Sequence, residues 1–169
     1  MKNKAIFFDR DGTLNFDKGY VFKIKDFIWK KKVFEAIKLL YQNNFKIIII
    51  TNQSGIGRSF YKKKDFFILS RWMKKQIKIK GGHVHDVFFA PYYMKSKKYG
   101  NKLEKYRRKP NPGMIYEAKK KWNLNLKKSF IIGDSLSDLL LAKKTKINFY
   151  KVNHNSNLLN IAKKITKRL

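Results

Sequence analysis

Cysteine is absent from the 169 residues. That excludes disulfides and thiolate-ligated metal centres. No apolar run reaches the ~18 residues that a membrane span needs, so no membrane association is expected. Residues 1–9 lack the order of a secretory leader, because the apolar stretch Ala5-Ile6-Phe7-Phe8 runs straight into Asp9. A cytoplasmic location is the expectation. Acid is scarce as well: 11 Asp and Glu stand against 41 Lys and Arg, giving a net charge of +30.

What is present is core-forming material. Hydrophobic residues make up 43% and aromatics 15%, too much for a disordered chain. The length fits one compact domain over residues 1–169, expected to be a monomer. The basic excess consists of 35 Lys and only 6 Arg. Lys, Ile and Asn all have AT-rich codons, so base composition accounts for much of the skew. A nucleic-acid binder would more often use Arg for bidentate phosphate contacts. The lysines are also scattered along the chain. A solvated basic surface is therefore favoured over a nucleic-acid face, with nucleic acid kept as the second choice of partner. In either case the field attracts anionic substrates.

Strand and helix patterns alternate. Residues 4–8 read as a strand and 32–43 as an amphipathic helix with Val33, Phe34, Ile37, Leu40 and Tyr41 at helical spacing. Residues 46–51, with four consecutive Ile, read as a buried parallel strand. A longer helix is expected over 62–79, stopped by Gly81-Gly82, then a short strand over 86–90. Residues 91–110 have no period and read as a long loop. Pro112 opens a helix running to about Trp122. A strand over 129–132 is followed by a helix from Ser135 to Lys143 with Leu136, Leu139 and Leu140 facing inward. A last strand, 147–152, and a helix, Leu158–Lys167, complete the pattern. The fold class is α/β, a doubly wound parallel sheet.

Four polar segments fall where strands end. Asp9-Arg10-Asp11 follows the first strand, at the edge where open α/β sheets bind ligands. Two carboxylates so close repel, so a cation or a shared proton belongs beside them. The pair suits a nucleophile and a proton carrier with a divalent metal between them, and an Asp-rich turn is the plainer reading. Thr51-Asn52-Gln53-Ser54-Gly55-Ile56-Gly57-Arg58 could cradle phosphate, or be a polar loop with glycine turns. Arg107-Arg108-Lys109-Pro110-Asn111-Pro112-Gly113-Met114 offers three cations, or one more basic loop. In Gly133-Asp134-Ser135-Leu136-Ser137-Asp138, Asp134 could ligate a metal or cap a helix. Asp138 lies one helical turn further and can face the same site.

Taken together and in this order, the segments resemble the haloacid dehalogenase superfamily of phosphotransferases. DRDGTLN, DKGYV at 17–21, TNQSGIGR at 51–58 and RKPNPGM at 108–114 look like the D-glycero-D-manno-heptose 1,7-bisphosphate 7-phosphatases and the related histidinol-phosphate phosphatases. The resemblance covers residues 4–152 and implies a Rossmann-like domain without a large cap. It implies Asp9 as nucleophile, Asp11 as acid/base, and Mg²⁺ held by Asp9, the Asp11 backbone carbonyl and Asp134. Thr51 and Lys109 would stabilise the transferring oxygens, with Asp138 in support. Asp17, Gly19, Tyr20, Asn52, Gln53, Ser54 and Arg108 would bind the substrate.

Two departures stand out. The family's zinc loop starts Cys-Pro-His and ends Cys-x-Cys, whereas this chain has Ala90-Pro91-Tyr92 and Lys105-Tyr106-Arg107. No zinc is expected; Tyr92, Tyr93, Tyr99 and Tyr106 would hold the loop by packing. His83 and His85 are given surface or core roles. The second departure is Ser135, where the heptose enzymes usually carry Lys. The expected activity is a Mg²⁺-dependent phosphatase for a sugar phosphate, foremost heptose bisphosphate in lipopolysaccharide-precursor synthesis. The alternatives are a histidinol-phosphate phosphatase, a polynucleotide 3′-phosphatase and, behind these, a non-catalytic nucleic-acid binder.

Overall fold

The computed structural model describes residues 2–168; Met1 and Leu169, the ends of the expected 1–169 domain, lie outside them. Five parallel strands form one sheet: β1 (Lys4–Phe8), β2 (Phe45–Asn52), β3 (Asp86–Ala90), β4 (Phe130–Gly133) and β5 (Asn148–Lys151). Their order is β3-β2-β1-β4-β5. This is the expected doubly wound sheet. β1 lies at its centre, with Ile6 opposite Ile47 of β2 and opposite Phe130 of β4. The chain winds outward from β1 in both directions, so the crevice at the carboxyl ends of β1 and β4 is the switch point where such sheets take ligands.

The helices are α1 (Val33–Gln42), α2 (Ser54–Gly57), α3 (Lys63–Ile79), α4 (Lys102–Arg107), α5 (Gly113–Trp122), α6 (Leu136–Thr145) and α7 (Leu158–Thr166). Strand side chains alternate between the faces, which gives the sheet a core on each side. Ile6, Phe8, Ile47, Ile49 and Ile132 meet Val33, Ile37 and Leu40 of α1, Leu69, Met73 and Ile77 of α3, and Leu158 and Ile165 of α7. Ala5, Phe7, Ile48, Ile50 and Ile131 meet Met114, Ile115 and Ala118 of α5 and Leu141 and Ala142 of α6. The run of isoleucines in β2 thus serves both faces, as a central parallel strand requires.

Two expectations fail. Residues 91–110 are not all loop, because α4 lies within them. The Asn101 side chain accepts from Glu104 N at 2.9 Å and starts the helix. Arg107 then pairs with Glu104 on the same turn at 3.2 Å and with Glu117 of α5 at 2.8 Å. Of the zinc-ligand positions of the resembled family, Ala90 and Tyr92 precede this ion-paired unit, while Lys105 and Arg107 lie within it. Arg58 lies over the Tyr93 ring and Lys63 over Tyr99, while Tyr106 is largely exposed.

The second failure is the rotation of α6. Leu136 is 68% exposed, Leu140 is also exposed and Leu139 is half-buried. The buried positions are Asp138, Leu141, Ala142 and Thr145. A carboxylate displaces leucine from the inner face because its charge has a partner there, described next.

Candidate active site

β1 ends at Phe8, and Asp9 N still donates to Ile132 O of β4 at 3.0 Å. The ladder therefore carries Asp9 to the sheet edge before the chain turns. Gly12 makes the turn with φ +82. A Cβ there would fall 2.1 Å from Asp134 Oδ2, so only glycine lets the first turn meet the Asp134 carboxylate beyond β4. Thr13 Oγ1 donates to Asp134 Oδ1 at 3.3 Å across the same gap.

Lys109 arrives from the segment before α5. Its Nζ lies 2.8 Å from Asp9 Oδ1 and 2.7 Å from Asp138 Oδ1, and all three groups are buried. Its backbone is fixed from β2: Asn52 Nδ2 donates to Lys109 O at 3.1 Å, and Lys109 N donates to Asn52 Oδ1 at 3.0 Å. Asp138 gives its other oxygen to Ser135, accepting from Ser135 Oγ at 2.6 Å and from Ser135 N at 3.2 Å. Ser135 is the N-cap of α6 and closes a capping box with Asp138. Asp134 is therefore free of the capping role.

Asp11 is held differently. Arg10, 1% exposed, reaches both its oxygens through Nε and Nη2 at 2.8–3.1 Å. Asn15 Nδ2 donates to Oδ1 at 3.1 Å and Gln53 Nε2 to Oδ2 at 3.0 Å. The two carboxylates read as a pair in the sequence thus have separate partners: Lys109 for Asp9, Arg10 for Asp11.

These groups surround a cavity of about 290 Å³ lined by Asp9, Asp11, Asp17, Gly19, Tyr20, Thr51, Asn52, Gln53, Ser54, Tyr61, Lys109, Asp134, Ser135 and Ser137. Every expected site residue except Arg108 and the supporting Asp138 is in that wall. Asp138 stands behind Lys109. The Arg108 Nη1 is buried without a hydrogen-bond partner among the described residues. Burial, then the nearby Arg58 cation, hold the Arg108 guanidinium below its ordinary value. Asn52 and Gln53 line the wall with amide groups already bonded to protein. Tyr61, Ser135 and Ser137 line the cavity besides the expected residues. Ser135 and Ser137 lie inside the Asp134–Asp138 segment. Tyr61 lies beyond every motif, and no sequence signal marks it.

Ligand oxygens of Asp9, Asp134 and Asp138 lie within 4.8 Å of one another. Burial pushes the Asp9 carboxyl up to about 8 against the opposing pull of Lys109, and burial also raises Asp134. One ammonium is too little positive charge for this cluster. Asp138 has both oxygens engaged, whereas Asp9 Oδ2 and Asp134 Oδ2 accept no hydrogen bond among the described residues. An all-oxygen donor set of this kind fits Mg²⁺, which keeps several waters and needs few protein ligands. With carboxylates, a hydroxyl and an ammonium around one cavity, the residue types are those that in-line phosphoryl transfer requires.

Residues 4–157 match the family model described as polynucleotide kinase 3 phosphatase. The chain is 42% identical over 139 residues to D-glycero-alpha-D-manno-heptose-1,7-bisphosphate 7-phosphatase of Burkholderia mallei, covering 82% of this chain and 74% of that one. It is 39% identical over 153 residues to D-glycero-beta-D-manno-heptose-1,7-bisphosphate 7-phosphatase of Haemophilus ducreyi, covering 87% and 83%. In fold it is similar to the crystal structure of D,D-heptose 1,7-bisphosphate phosphatase from B. bronchiseptica complexed with magnesium and phosphate. That match has a TM-score of 0.84 at 23% identity and covers 98% of this chain and 99% of the other.

Proposed function

From a chain that belongs to the haloacid dehalogenase-type phosphatases of the polynucleotide kinase 3 phosphatase family, we propose hydrolysis of the 7-phosphate of D-glycero-D-manno-heptose 1,7-bisphosphate. The enzyme is a phosphatase, and the observation that carries the chemistry is the pairing of Lys109 with Asp9 at the switch point, 2.8 Å apart. The sugar substrate is supported by the names of the relatives at 35–42% identity. A place in lipopolysaccharide-precursor synthesis in the cytoplasm, acting as a monomer, accompanies that substrate.

The Asp9 carboxylate attacks phosphorus in line and forms an aspartyl-phosphate as the bond to the sugar oxygen breaks. Asp11 in its acid form protonates the leaving sugar oxygen, then as a carboxylate takes a proton from the hydrolytic water. Thr51 and Lys109 meet charge on the transferring oxygens, and Asp138 holds Lys109 in place. Mg²⁺ would be held by Asp9, the Asp11 backbone carbonyl and Asp134, and when bound supplies charge neutralisation at the phosphoryl group. Asp17, Gly19, Tyr20 and Ser54 contact the sugar, and Arg108, next to Lys109 in the chain, supplies a further cation.

A second reading, polynucleotide 3′-phosphatase, is favoured by the description of the matching family and by the charge of +30. One screen with Mg²⁺ separates the two. It compares heptose bisphosphate, histidinol phosphate and a 3′-phosphorylated oligonucleotide at two salt concentrations. Turnover of the sugar bisphosphate well above the others supports the proposal. Activity on the oligonucleotide alone, falling steeply with salt, overturns it.

A further inference from the structure

We propose that Tyr61 is a positioning residue for proton transfer, acting through the amide of Gln53 to hold the carboxyl of Asp11 in line with the leaving oxygen. The inference rests on Asp11 being the acid/base. Gln53 is buried on the turn after β2, and its amide is fully used. Nε2 donates to Asp11 Oδ2 at 3.0 Å and to Thr51 Oγ1 at 2.9 Å. Oε1 accepts from the Tyr61 hydroxyl and, more distantly, from Arg10 Nη2 at 3.4 Å.

A glutamine amide has nearly the same shape either way round, so its partners decide which end faces Asp11. Burial pushes the Tyr61 phenol up, so the hydroxyl keeps its proton and donates. Arg10 Nη2, which can only donate, lies on the same side as the Tyr61 hydroxyl, so Oε1 faces them and the NH₂ faces the carboxylate; the Tyr61 bond holds the amide there. The reverse orientation would set a carbonyl oxygen against Asp11. Tyr61 is itself immobilised. Its ring stacks on Phe22 with centroids 4.8 Å apart and planes 6° apart. It also lies over Gly55, where a Cβ would approach the ring to 2.2 Å. Arg10 grips Asp11 from the other side at 2.8 Å. The acid/base is thus clamped between a cation and an amide that the Tyr61 phenol holds in place.

The test compares kcat/KM for two substrates, which reports only the steps up to the aspartyl-phosphate. The sugar oxygen expelled from the bisphosphate would be an alkoxide without the Asp11 proton; p-nitrophenyl phosphate expels a stable p-nitrophenolate and does not need it. Tyr61→Phe should lower the sugar value on the order of tenfold, the size of one lost buried hydrogen bond, and barely change the aryl value. Tyr61→Phe added to Gln53→Ala should cost nothing further on the sugar, because the coupling is already cut. Asp11→Asn should show the same split more strongly. Equal losses on both substrates in Tyr61→Phe, or additive losses in the double variant, would overturn the proposal. If Asp11→Asn loses both activities equally, the acid assignment itself falls and the proposal with it. A split in Asp11→Asn without one in Tyr61→Phe removes Tyr61 alone.

Discussion

The ammonium of Lys109 lies 2.7 Å from Asp138 Oδ1, with both side chains sealed from solvent. Removing Asp138 takes away one of the two carboxylate partners of Lys109 and the acceptor for Ser135, and losing a hydrogen bond to a charged group costs about 1.5–3 kcal/mol. Asp138→Ala should therefore lower the urea midpoint sharply and remove most activity, since Lys109 is left with Asp9 alone. Asp138→Asn keeps an acceptor and the capping geometry, so its loss of stability should be smaller. Equal stability of Asp138→Ala and wild type would remove the pair from the account.

Asp9→Asn should abolish turnover, roughly 10⁴-fold or more, as when a covalent nucleophile is lost, while leaving the fold intact. Acid-quenched wild-type enzyme should carry a phosphoryl adduct by intact mass, and the variant none. Near-wild-type activity in Asp9→Asn would sink the mechanism.

Gly12→Ala tests the contact between the first turn and Asp134. The left-handed backbone at φ +82 costs a non-glycine residue roughly 1–2 kcal/mol. The added methyl also displaces the Asp134 carboxylate. Melting temperature should fall, and half-maximal activity should require more Mg²⁺. An unchanged Mg²⁺ requirement would show that Asp134 can shift without consequence.

The pH dependence of stability should carry a mark from His85. Burial, then the Lys46 cation, push its imidazole down to about 4. Ile47 N donates to its Nδ1 at 3.1 Å, a contact only the neutral ring accepts. With the folded value below the unfolded value of 6.5, the contribution is intact above pH 6.5 and is lost as pH falls toward 4. His85→Asn keeps an acceptor near the same place and should flatten the melting-temperature profile across that window. Parallel profiles for the two proteins would contradict this.

The sheet was legible because β2 is a run of isoleucines and because three of the four polar motifs follow an apolar strand; the motif at 107–114 begins at the end of α4 instead. The corners of the site, Asp9, Asp11, Thr51, Lys109 and Asp134, lie inside those motifs. What escaped depends on contacts between distant segments. Leucine spacing misplaced the face of α6, because Asp138 finds its counter-charge on Lys109, 29 residues away. α4 was hidden in a basic stretch without periodicity, since Arg107 needs Glu117 of the next helix to stay in place. Asn52 and Gln53 look like ligand amides in the motif, yet their hydrogen bonds go to Lys109, Asp11 and Thr51.

The paired hydrogen bonds between Asn52 and the Lys109 backbone have a mechanical consequence. Asn52 follows Thr51 directly in β2, so the hydroxyl and the ammonium that the proposed mechanism sets against the phosphoryl oxygens are mounted on one rigid plate. Their separation is set when the sheet forms, before substrate arrives. Neither group has to be recruited during the reaction, and little dipolar rearrangement is left for the transition state to drive.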